Sequence, residues 1–164
     1  MPTISIRLSF LLIALGCLGL MAIALFMQHV MGLNPCYLCI VQRGFVMGTG
    51  VLALLAFVHN PGPLGCKIYG ALTAIAAFSG SGFSIRQLWL QSLPEDQVPA
   101  CGPPADYLMD SFSISEWLPL LMKGDGNCAE VQWTFLSLSI PGWMLLAFLC
   151  LGLFALWQCF RSAE

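Results

Sequence analysis

Four stretches of the sequence are long and apolar enough to cross a membrane as helices. They cover residues 8–27, 39–58, 68–90 and 140–157, and their only charged residues are Arg43 in the second and Arg86 in the third. A helix needs about 20 largely apolar residues to span the hydrocarbon core of a bilayer. Backbone groups in lipid must be hydrogen-bonded internally, and these runs lack the alternation of barrel strands. The sequence therefore predicts an all-α membrane protein, a bundle of four transmembrane helices.

Composition agrees with a membrane protein and argues against a nucleic-acid partner. Apolar residues make up 59% of the chain and charged residues 9%, against about 25% charged residues in soluble domains. The net charge is only -2, and no basic run is present. The first apolar run is longer than the roughly 7–15 residues of a signal-peptide core, and no small-residue cleavage motif follows it. We therefore expect it to be a retained transmembrane helix.

The connections between the predicted spans are unequal in length. We expect residues 1–164 to form one integral-membrane domain, with loops at 28–38 and 91–139 on one side of the membrane. A loop as long as the second is usually functional or disordered, but it contains an apolar cluster at residues 117–122. Ser113 and Glu116 have capping-box spacing ahead of that cluster. The loop is predicted to carry a short helix on the membrane surface, interrupted by Pro119.

The basic residues outside the spans indicate an orientation. Four spans put both termini on one side of the membrane, and Arg7, Lys67 and Arg161 fall on that side. Only Lys123 falls on the other. The positive-inside rule then places both termini in the cytoplasm and both loops outside it.

The eight cysteines divide into two groups by position. One group lies within spans or near their cytoplasmic ends and is expected to behave as small apolar residues; its members are Cys17, Cys66, Cys150 and Cys159. The other group falls on the extracytoplasmic side, where disulfides persist if the compartment is oxidising; its members are Cys36, Cys39, Cys101 and Cys128.

Cys36 and Cys39 form a C-x-x-C motif at the predicted start of the second span. With Asn34 as N-cap and Pro35 as first helical residue, both sulfurs would lie in the first turn on one face. Unpaired N–H groups and the positive helix end favour a thiolate there. Arg43, four residues after Cys39, can reach the same face and stabilise a Cys39 thiolate. Alternatively, Arg43 extends to lipid phosphates.

Cys101 lies in an extended, exposed stretch and Cys128 follows a flexible turn, and their spacing alone leaves several interpretations open. A bridge between them would be worth about 3–4 kcal/mol as an ordinary stabilising disulfide. Zinc is another interpretation of four cysteines, but zinc sites commonly use two short-spaced pairs, and only Cys36 and Cys39 are closely spaced.

The chain resembles the DsbB family of bacterial disulfide-bond formation proteins. The resemblance follows the family's order over nearly the whole chain. The matching segments are Cys36-Tyr37-Leu38-Cys39 with Gln42-Arg43, Leu90-Gln91 with Pro94, Pro99-Ala100-Cys101-Gly102, Asp106-Tyr107, Gly126-Asn127-Cys128-Ala129-Glu130 with Trp133, and Pro141 with Trp143.

This resemblance implies an enzyme of the bacterial inner membrane, a thiol–quinone oxidoreductase with redox-active disulfides Cys36–Cys39 and Cys101–Cys128. A periplasmic DsbA-like protein would be reoxidised by exchange at Cys101, and Cys128 would pass electrons to Cys36–Cys39 through mixed disulfides. Cys39 would then reduce ubiquinone or menaquinone beside Arg43. The resemblance implies no metal and no nucleic-acid partner.

Two positions depart from the pattern of some family members. An acidic residue is replaced by Gln42, and a histidine near the outer end of the third span is absent; Gln87 is a candidate to bind a quinone oxygen in its place. Two other functions remain to be compared with the oxidase. One is a reductase fed by cytoplasmic thiols, for which Cys66 and Cys159 form no C-x-x-C motif, and the other is a structural membrane protein with two inert disulfides.

Overall fold

The computed structural model describes residues 5–103, 107 and 114–161. Within these ranges the chain forms five α-helices: α1 (Ile6–His29), α2 (Tyr37–His59), α3 (Pro63–Gln91), α4 (Ile114–Lys123) and α5 (Ile140–Arg161). In the described ranges, α1, α2, α3 and α5 are long and apolar enough to cross a membrane. The predicted all-α architecture with four spans is therefore confirmed.

The helices extend beyond the apolar runs that predicted them, most clearly at α3. Its first residue is Pro63, whereas the apolar run begins at residue 68. Proline fits the first helical position because the N–H that it lacks would have no intrahelical partner there. Asn60, with a left-handed φ of 44°, ends α2 just before this point. Apolar length marks the part of a helix that lies in lipid, so it underestimates the helix itself.

The helices α3 and α5 make the most extensive contact in the bundle, through paired glycines and phenylalanines. A Cβ on Gly80 of α3 would lie 2.5 Å from the Phe148 ring of α5. In the reverse direction, a Cβ on Gly152 of α5 would lie 2.9 Å from the Phe78 ring of α3. Small residues allow transmembrane helices to approach closely, and this close packing drives their association.

The buried residues form two clusters at different depths in the bundle. The central one contains Phe10, Ile13, Cys17, Val46, Ala53, Ala56, Ala74, Ala77, Phe148 and Ala155. The second, which we call the outer cluster, lies where α2 begins and α3 ends; it contains Cys36, Tyr37, Leu38, Leu90, Leu121 and Cys128. Two of the cysteines singled out from the sequence are therefore packed in an apolar environment.

The predicted loop helix is present as α4, but its predicted interruption is wrong. The helix continues through Pro119 to Lys123. Leu121 in its last turn is buried in the outer cluster, and Gly124 N donates to Leu120 O at 3.2 Å. These contacts after the proline hold the last turn in place despite the missing N–H. Ser113 of the predicted capping box lies outside the described residues, and the membrane-surface location of α4 stays a prediction.

A small hairpin precedes α5 and was not predicted. Strand β1 (Thr134–Phe135) pairs antiparallel with β2 (Leu138–Ser139), and the two residues between them have positive φ, 50° for Leu136 and 63° for Ser137. Two-residue hairpins favour such turns, normally built from Asn or Gly. Because Leu-Ser carries no such signal, the sequence does not reveal this turn.

Candidate active site

The C-x-x-C motif begins α2 differently from the prediction. Cys36 itself is the N-cap, in an extended conformation with φ −74° and ψ 172°, so Asn34 and Pro35 precede the helix rather than start it. The predicted N-cap was wrong because Asn34-Pro35 looks like a helix start whether or not the following residue continues the helix. The Cys36 and Cys39 sulfurs nevertheless lie 3.1 Å apart, as the prediction of a shared face requires.

The side-chain amide of Gln87 contacts both of these sulfurs. Its Nε2 lies 3.3 Å from Cys36 Sγ and 3.4 Å from Cys39 Sγ. Gln87 belongs to α3 and is buried, so the amide crosses from one helix to the motif on another. An amide N–H directed at sulfur stabilises a thiolate. Sequence reasoning proposed Gln87 for a quinone oxygen, and the structure places it against the cysteines.

Gln42 fixes the direction of the Gln87 amide. Gln42 is also buried, and its Nε2 donates to Gln87 Oε1 at 2.8 Å. This bond holds the Gln87 carbonyl on the Gln42 side, where Oε1 also accepts from Cys39 Sγ at 3.7 Å, and leaves the NH₂ group directed at both sulfurs. Gln42 and Gln87, the two residues noted where the chain departs from the family pattern, are thus hydrogen-bonded to each other.

Cys128 completes the thiol cluster, since it is buried in the outer cluster together with Cys36. It lies in a 3-10 turn (Gly126–Cys128) and is fully buried in the outer cluster. A hydrogen bond from the Cys36 thiol lowers the pKa of Cys128 below its usual value, although burial opposes this effect. The same hydrogen bond, together with one to Cys39 and burial, raises the pKa of Cys36. Cys36 is therefore a thiol in this arrangement, and Cys128 carries the negative charge more readily.

Cys101 lies apart from this cluster at the surface. It is exposed, and each of the eight cysteines carries a thiol in the structure. The segment that contains Cys101 packs against the turn that contains Cys128. Gly126 N donates to Ala100 O at 3.4 Å, and a Cβ on Gly126 would lie 3.0 Å from Cys101 Sγ. The Tyr37 hydroxyl donates to Pro103 O on the other side of the segment. The Asp106 part of the family motif lies outside the described residues.

Arg43 directs its hydrogen bonds to α1. Its Nη1 donates to Gln28 Oε1 and its Nη2 to Ala24 O at 3.2 Å. These partners satisfy a guanidinium at membrane depth, where an unpartnered charge is costly. Sequence reasoning identified the arginine but could not identify partners on a different helix.

Cys39 and Arg43 line the same cleft among α1, α2 and α5. The cleft has an empty volume of about 360 Å³. Its other lining residues are Leu20, Met21, Ala24, Gln42, Val46, Ile140 and Met144. A second cleft, of about 300 Å³, opens on the other side of the motif; it is lined by both Cys36 and Cys39 and by Gln87 and Trp133, among others. Cys39 borders both spaces.

The remaining cysteines have no part in this cluster. Cys17 is buried in the central cluster, where a Cβ on Gly50 would lie 2.9 Å from its Cβ. Cys66 Sγ bonds to Pro61 O at 3.3 Å, Cys159 Sγ to Lys67 O at 3.4 Å, and Cys150 is exposed on α5. Within the described residues, no group of three or more His, Cys, Asp or Glu side chains is placed to hold a metal ion.

The fold and the thiol cluster define a multi-pass membrane protein with thiol chemistry at one end of its bundle. The family model for disulfide bond formation protein DsbB matches residues 6–158, and the chain belongs to the DsbB family. It is 52% identical over 159 residues to disulfide bond formation protein B of Saccharophagus degradans, covering 97% of this chain and 96% of that protein. It is also 50% identical over 151 residues to the protein of that name from Chromobacterium violaceum, covering 92% and 91%.

Membership of this family makes the chain an oxidoreductase of disulfide bond formation. A third relative of the same name, from Marinobacter nauticus, is 52% identical over 153 residues, covering 92% of this chain and 91% of that protein. The resemblance recognised from the cysteine-containing segments is therefore confirmed. The alternative hypothesis, a structural membrane protein with two inert disulfides, is not supported.

Proposed function

We propose that this protein is an inner-membrane disulfide oxidase that reoxidises a periplasmic DsbA-like protein and delivers the electrons to a membrane quinone. The observation that carries the proposal is the position of Cys39. Its sulfur lies 3.1 Å from Cys36, and it also lines the cleft that contains Arg43. A thiol in both environments can receive electrons from the cysteine cluster and pass them to an acceptor in the bilayer.

Electrons would enter at Cys101. It is exposed, whereas Cys128 is fully buried, so a partner's thiolate can approach Cys101 alone. Attack there would form a mixed disulfide with the partner and release the Cys128 sulfur. The contact between Gly126 and Ala100 keeps the two segments adjacent for this exchange.

Transfer between the two pairs would follow from the contact of Cys128 with Cys36. Both sulfurs are buried in the outer cluster, and the interaction with Cys36 lowers the pKa of Cys128, which supports Cys128 as the attacking sulfur. Attack on a Cys36–Cys39 disulfide would release Cys39 as the leaving thiolate. The Gln87 amide, 3.4 Å from Cys39 Sγ, would stabilise that thiolate.

The cleft at Cys39 fits the chemistry of a quinone head group. Its walls are mostly apolar, as a flat, uncharged ring requires, and its polar groups are the Arg43 guanidinium and the Gln42 amide. Both groups donate hydrogen bonds, which quinone oxygens accept. The quinone, ubiquinone or menaquinone, supplies the two-electron acceptor, while Cys39, Arg43 and Gln42 supply the donor thiol and the contacts that orient it.

The orientation and domain organisation belong to the same proposal. The four spans put both termini on one side, and Arg7, Lys67 and Arg161 favour the cytoplasm for that side. The thiol cluster then faces the periplasm, where disulfides persist. Residues 1–164 would act as a single integral-membrane domain.

The test is an oxidation assay with the purified full-length protein in detergent micelles. A reduced DsbA-like protein is supplied with ubiquinone or menaquinone, and its thiols are counted over time. We expect catalytic oxidation with at least one quinone, and none when Cys39 is replaced by Ala. Absence of turnover with both quinone classes would contradict the proposal.

A further inference from the structure

A buried carboxylate lies between the two cysteine-bearing segments of the extracytoplasmic side. Asp125 is 4% exposed and is the residue before the 3-10 turn that carries Cys128. Burial of an ionised carboxylate is costly unless several donors satisfy it. Neither the motif spacing nor the family resemblance identified this residue, because Asp125 stands in a Gly-rich turn where an exposed aspartate is commonplace.

Three donors converge on this carboxylate. Oδ2 accepts from Gly102 N at 3.0 Å and from Asn127 Nδ2 at 2.6 Å, and Oδ1 accepts from Cys128 Sγ at 3.4 Å. Oδ2 therefore binds the backbone of Gly102, the residue after Cys101, while Oδ1 contacts the buried Cys128 thiol. The contact joins the electron-entry segment to the sulfur that must act next.

The contact between Asp125 and Cys128 determines where one proton can reside. The Cys128 thiol donates to Asp125 Oδ1, so this carboxylate oxygen is the acceptor that the Cys128 proton already faces. The Cys36 thiol lowers the pKa of Cys128 in the reduced protein. When Cys36 is in a disulfide it has no S–H to donate, and Asp125 remains as the proton partner of Cys128.

We propose that Asp125 is the catalytic base that takes the Cys128 proton when Cys128 attacks the Cys36–Cys39 disulfide. In this step the proton moves from Cys128 Sγ to Asp125 Oδ1, and a bond forms between the Cys128 and Cys36 sulfurs. The Cys36–Cys39 bond breaks, and its electron pair leaves on Cys39 as a thiolate. The inference rests on the proposed function, since it assigns a residue to the transfer between the two cysteine pairs.

Other charged and titratable groups surround this pair. From α2 come Cys36 and Tyr37, whose hydroxyl donates to Pro103 O. From α3 comes Arg86, whose Nε donates to Lys123 O at 3.0 Å, two residues before Asp125. Among the described residues, Asp125 is the only carboxylate with a hydrogen bond to a cysteine sulfur, which singles it out as the acceptor.

The test separates the two exchange steps in the purified full-length protein. The probe is a DsbA-like protein that retains only its nucleophilic cysteine. Its adduct at Cys101 is followed on non-reducing gels, and the Cys36–Cys128 disulfide is followed by acid quench, alkylation and peptide mass spectrometry. Asp125→Asn keeps an acceptor oxygen for Gly102 but cannot take the proton, so adduct formation should match the wild type.

The rate of the second step, the attack of Cys128 on the Cys36–Cys39 disulfide, should depend on pH only in Asp125→Asn. An ordinary thiol with a pKa of about 8.5 is less than 1% ionised at pH 6, so Asp125→Asn should slow the second step about 100-fold there and only a few-fold at pH 9. The wild-type rate should change little between these pH values. The matched control is Asp96→Asn, an exposed aspartate of the same loop, which should behave as wild type.

Each other outcome overturns a stated claim. A second step in Asp125→Asn that is as fast as in wild type, or slowed equally at every pH, removes Asp125 as the base. If the variant does not fold, the wild-type profile decides: a rate that rises about tenfold per pH unit overturns the inference. Failure of wild type to form the Cys101 adduct counts against the proposed function instead.

Discussion

The side-chain amide of Gln42 donates a hydrogen bond of 2.8 Å to the side-chain carbonyl of Gln87, and both side chains are buried. The bond joins α2 to α3 beneath the C-x-x-C motif. It leaves the Gln87 NH₂ group for the sulfurs of Cys36 and Cys39. Two neutral side chains thus provide an oriented donor for a thiolate, without a charged group between the helices.

Replacement of Gln87 by Ala should lower the reduction potential of the Cys36–Cys39 pair. The variant loses a hydrogen bond that stabilises the reduced, thiolate-bearing state, and bonds to charged groups contribute about 1.5–3 kcal/mol. This corresponds to a fall of roughly 30–60 mV for a two-electron couple. The measurement is equilibration against glutathione buffers. Gln97→Ala, at an exposed position, is the control and should leave the potential unchanged.

The orienting role of Gln42 follows from the same measurement. Gln42→Leu should lower the potential by less than Gln87→Ala, because the Gln87 amide remains but is no longer held. The double variant should match Gln87→Ala alone, since the two residues act through one contact. Additive effects would show that Gln42 acts separately.

Arg43→Ala should weaken quinone use without preventing exchange among the cysteines. The guanidinium lines the cleft with Cys39, so its loss should raise the KM for quinone by about tenfold, as expected for one lost charge-assisted contact. In a Cys36→Ala background, a Cys39 thiolate against a quinone should give a visible absorbance band that Arg43→Ala reduces. Arg86→Ala, which removes the arginine of α3, is the comparison. If Arg43→Ala changes neither the absorbance band nor the KM, the arginine has only a structural role, as a link from α2 to Gln28 and Ala24 of α1.

The ionisation of Cys128 should depend on Cys36. Because the interaction with the Cys36 side chain lowers the pKa of Cys128, Cys36→Ala should raise that pKa. The Cys128 thiolate would then appear at higher pH than in wild type. Cys36→Ser keeps a hydroxyl donor and should retain part of the effect. The ultraviolet absorbance of the thiolate, taken as the difference from the matching variant with Cys128→Ala, gives the midpoint of ionisation without a reagent that must enter the buried site. An unmoved midpoint in Cys36→Ala would contradict the assignment.

Cys128→Ala should trap the partner at Cys101. Without Cys128 the Cys101 thiol has no nearby resolving partner of its own pair, so an oxidised DsbA-like protein or a mixed-disulfide reagent leaves a stable adduct. Non-reducing gels should show one band that is absent in Cys101→Ala. Adduct formation at Cys36 instead would place the entry site elsewhere.

Gly80→Val should destabilise the bundle. The added side chain meets the Phe148 ring, since a Cβ at Gly80 would already lie 2.5 Å from it. Overpacking typically costs about 1–3 kcal/mol, so the thermal midpoint in detergent should fall by several degrees. Gly82→Val on the same helix is the matched control, because nothing lies within 4 Å of its Cβ position. Equal effects at both positions would indicate helix propensity rather than packing.

The sequence predicted what depends on composition and local spacing. Apolar length predicted the four spans, and the C-x-x-C motif predicted adjacent sulfurs at the start of α2. It could not predict contacts that join distant parts of the chain. Gln87 with the two sulfurs, Arg43 with Gln28, and Asp125 with Cys128 and Gly102 all depend on how helices and loop pack, and no single element carries a signal for them. The Leu136-Ser137 turn was missed for a local reason, since its residues are unusual for positive φ.

The contrast between an exposed Cys101 and a fully buried Cys128 bears on selectivity among thiols. Of the four motif cysteines, Cys101 is exposed and Cys39 is half-buried, whereas Cys36 and Cys128 are buried, so a small thiol from solution would meet Cys101 first. Cys36 is 7% exposed, so packing shields it from direct reduction. In the proposed electron transfer, the outer cluster would therefore shield Cys36 and Cys128 from small thiols. A cell could keep abundant small thiols beside this enzyme without draining its oxidising capacity, provided that they compete poorly at Cys101.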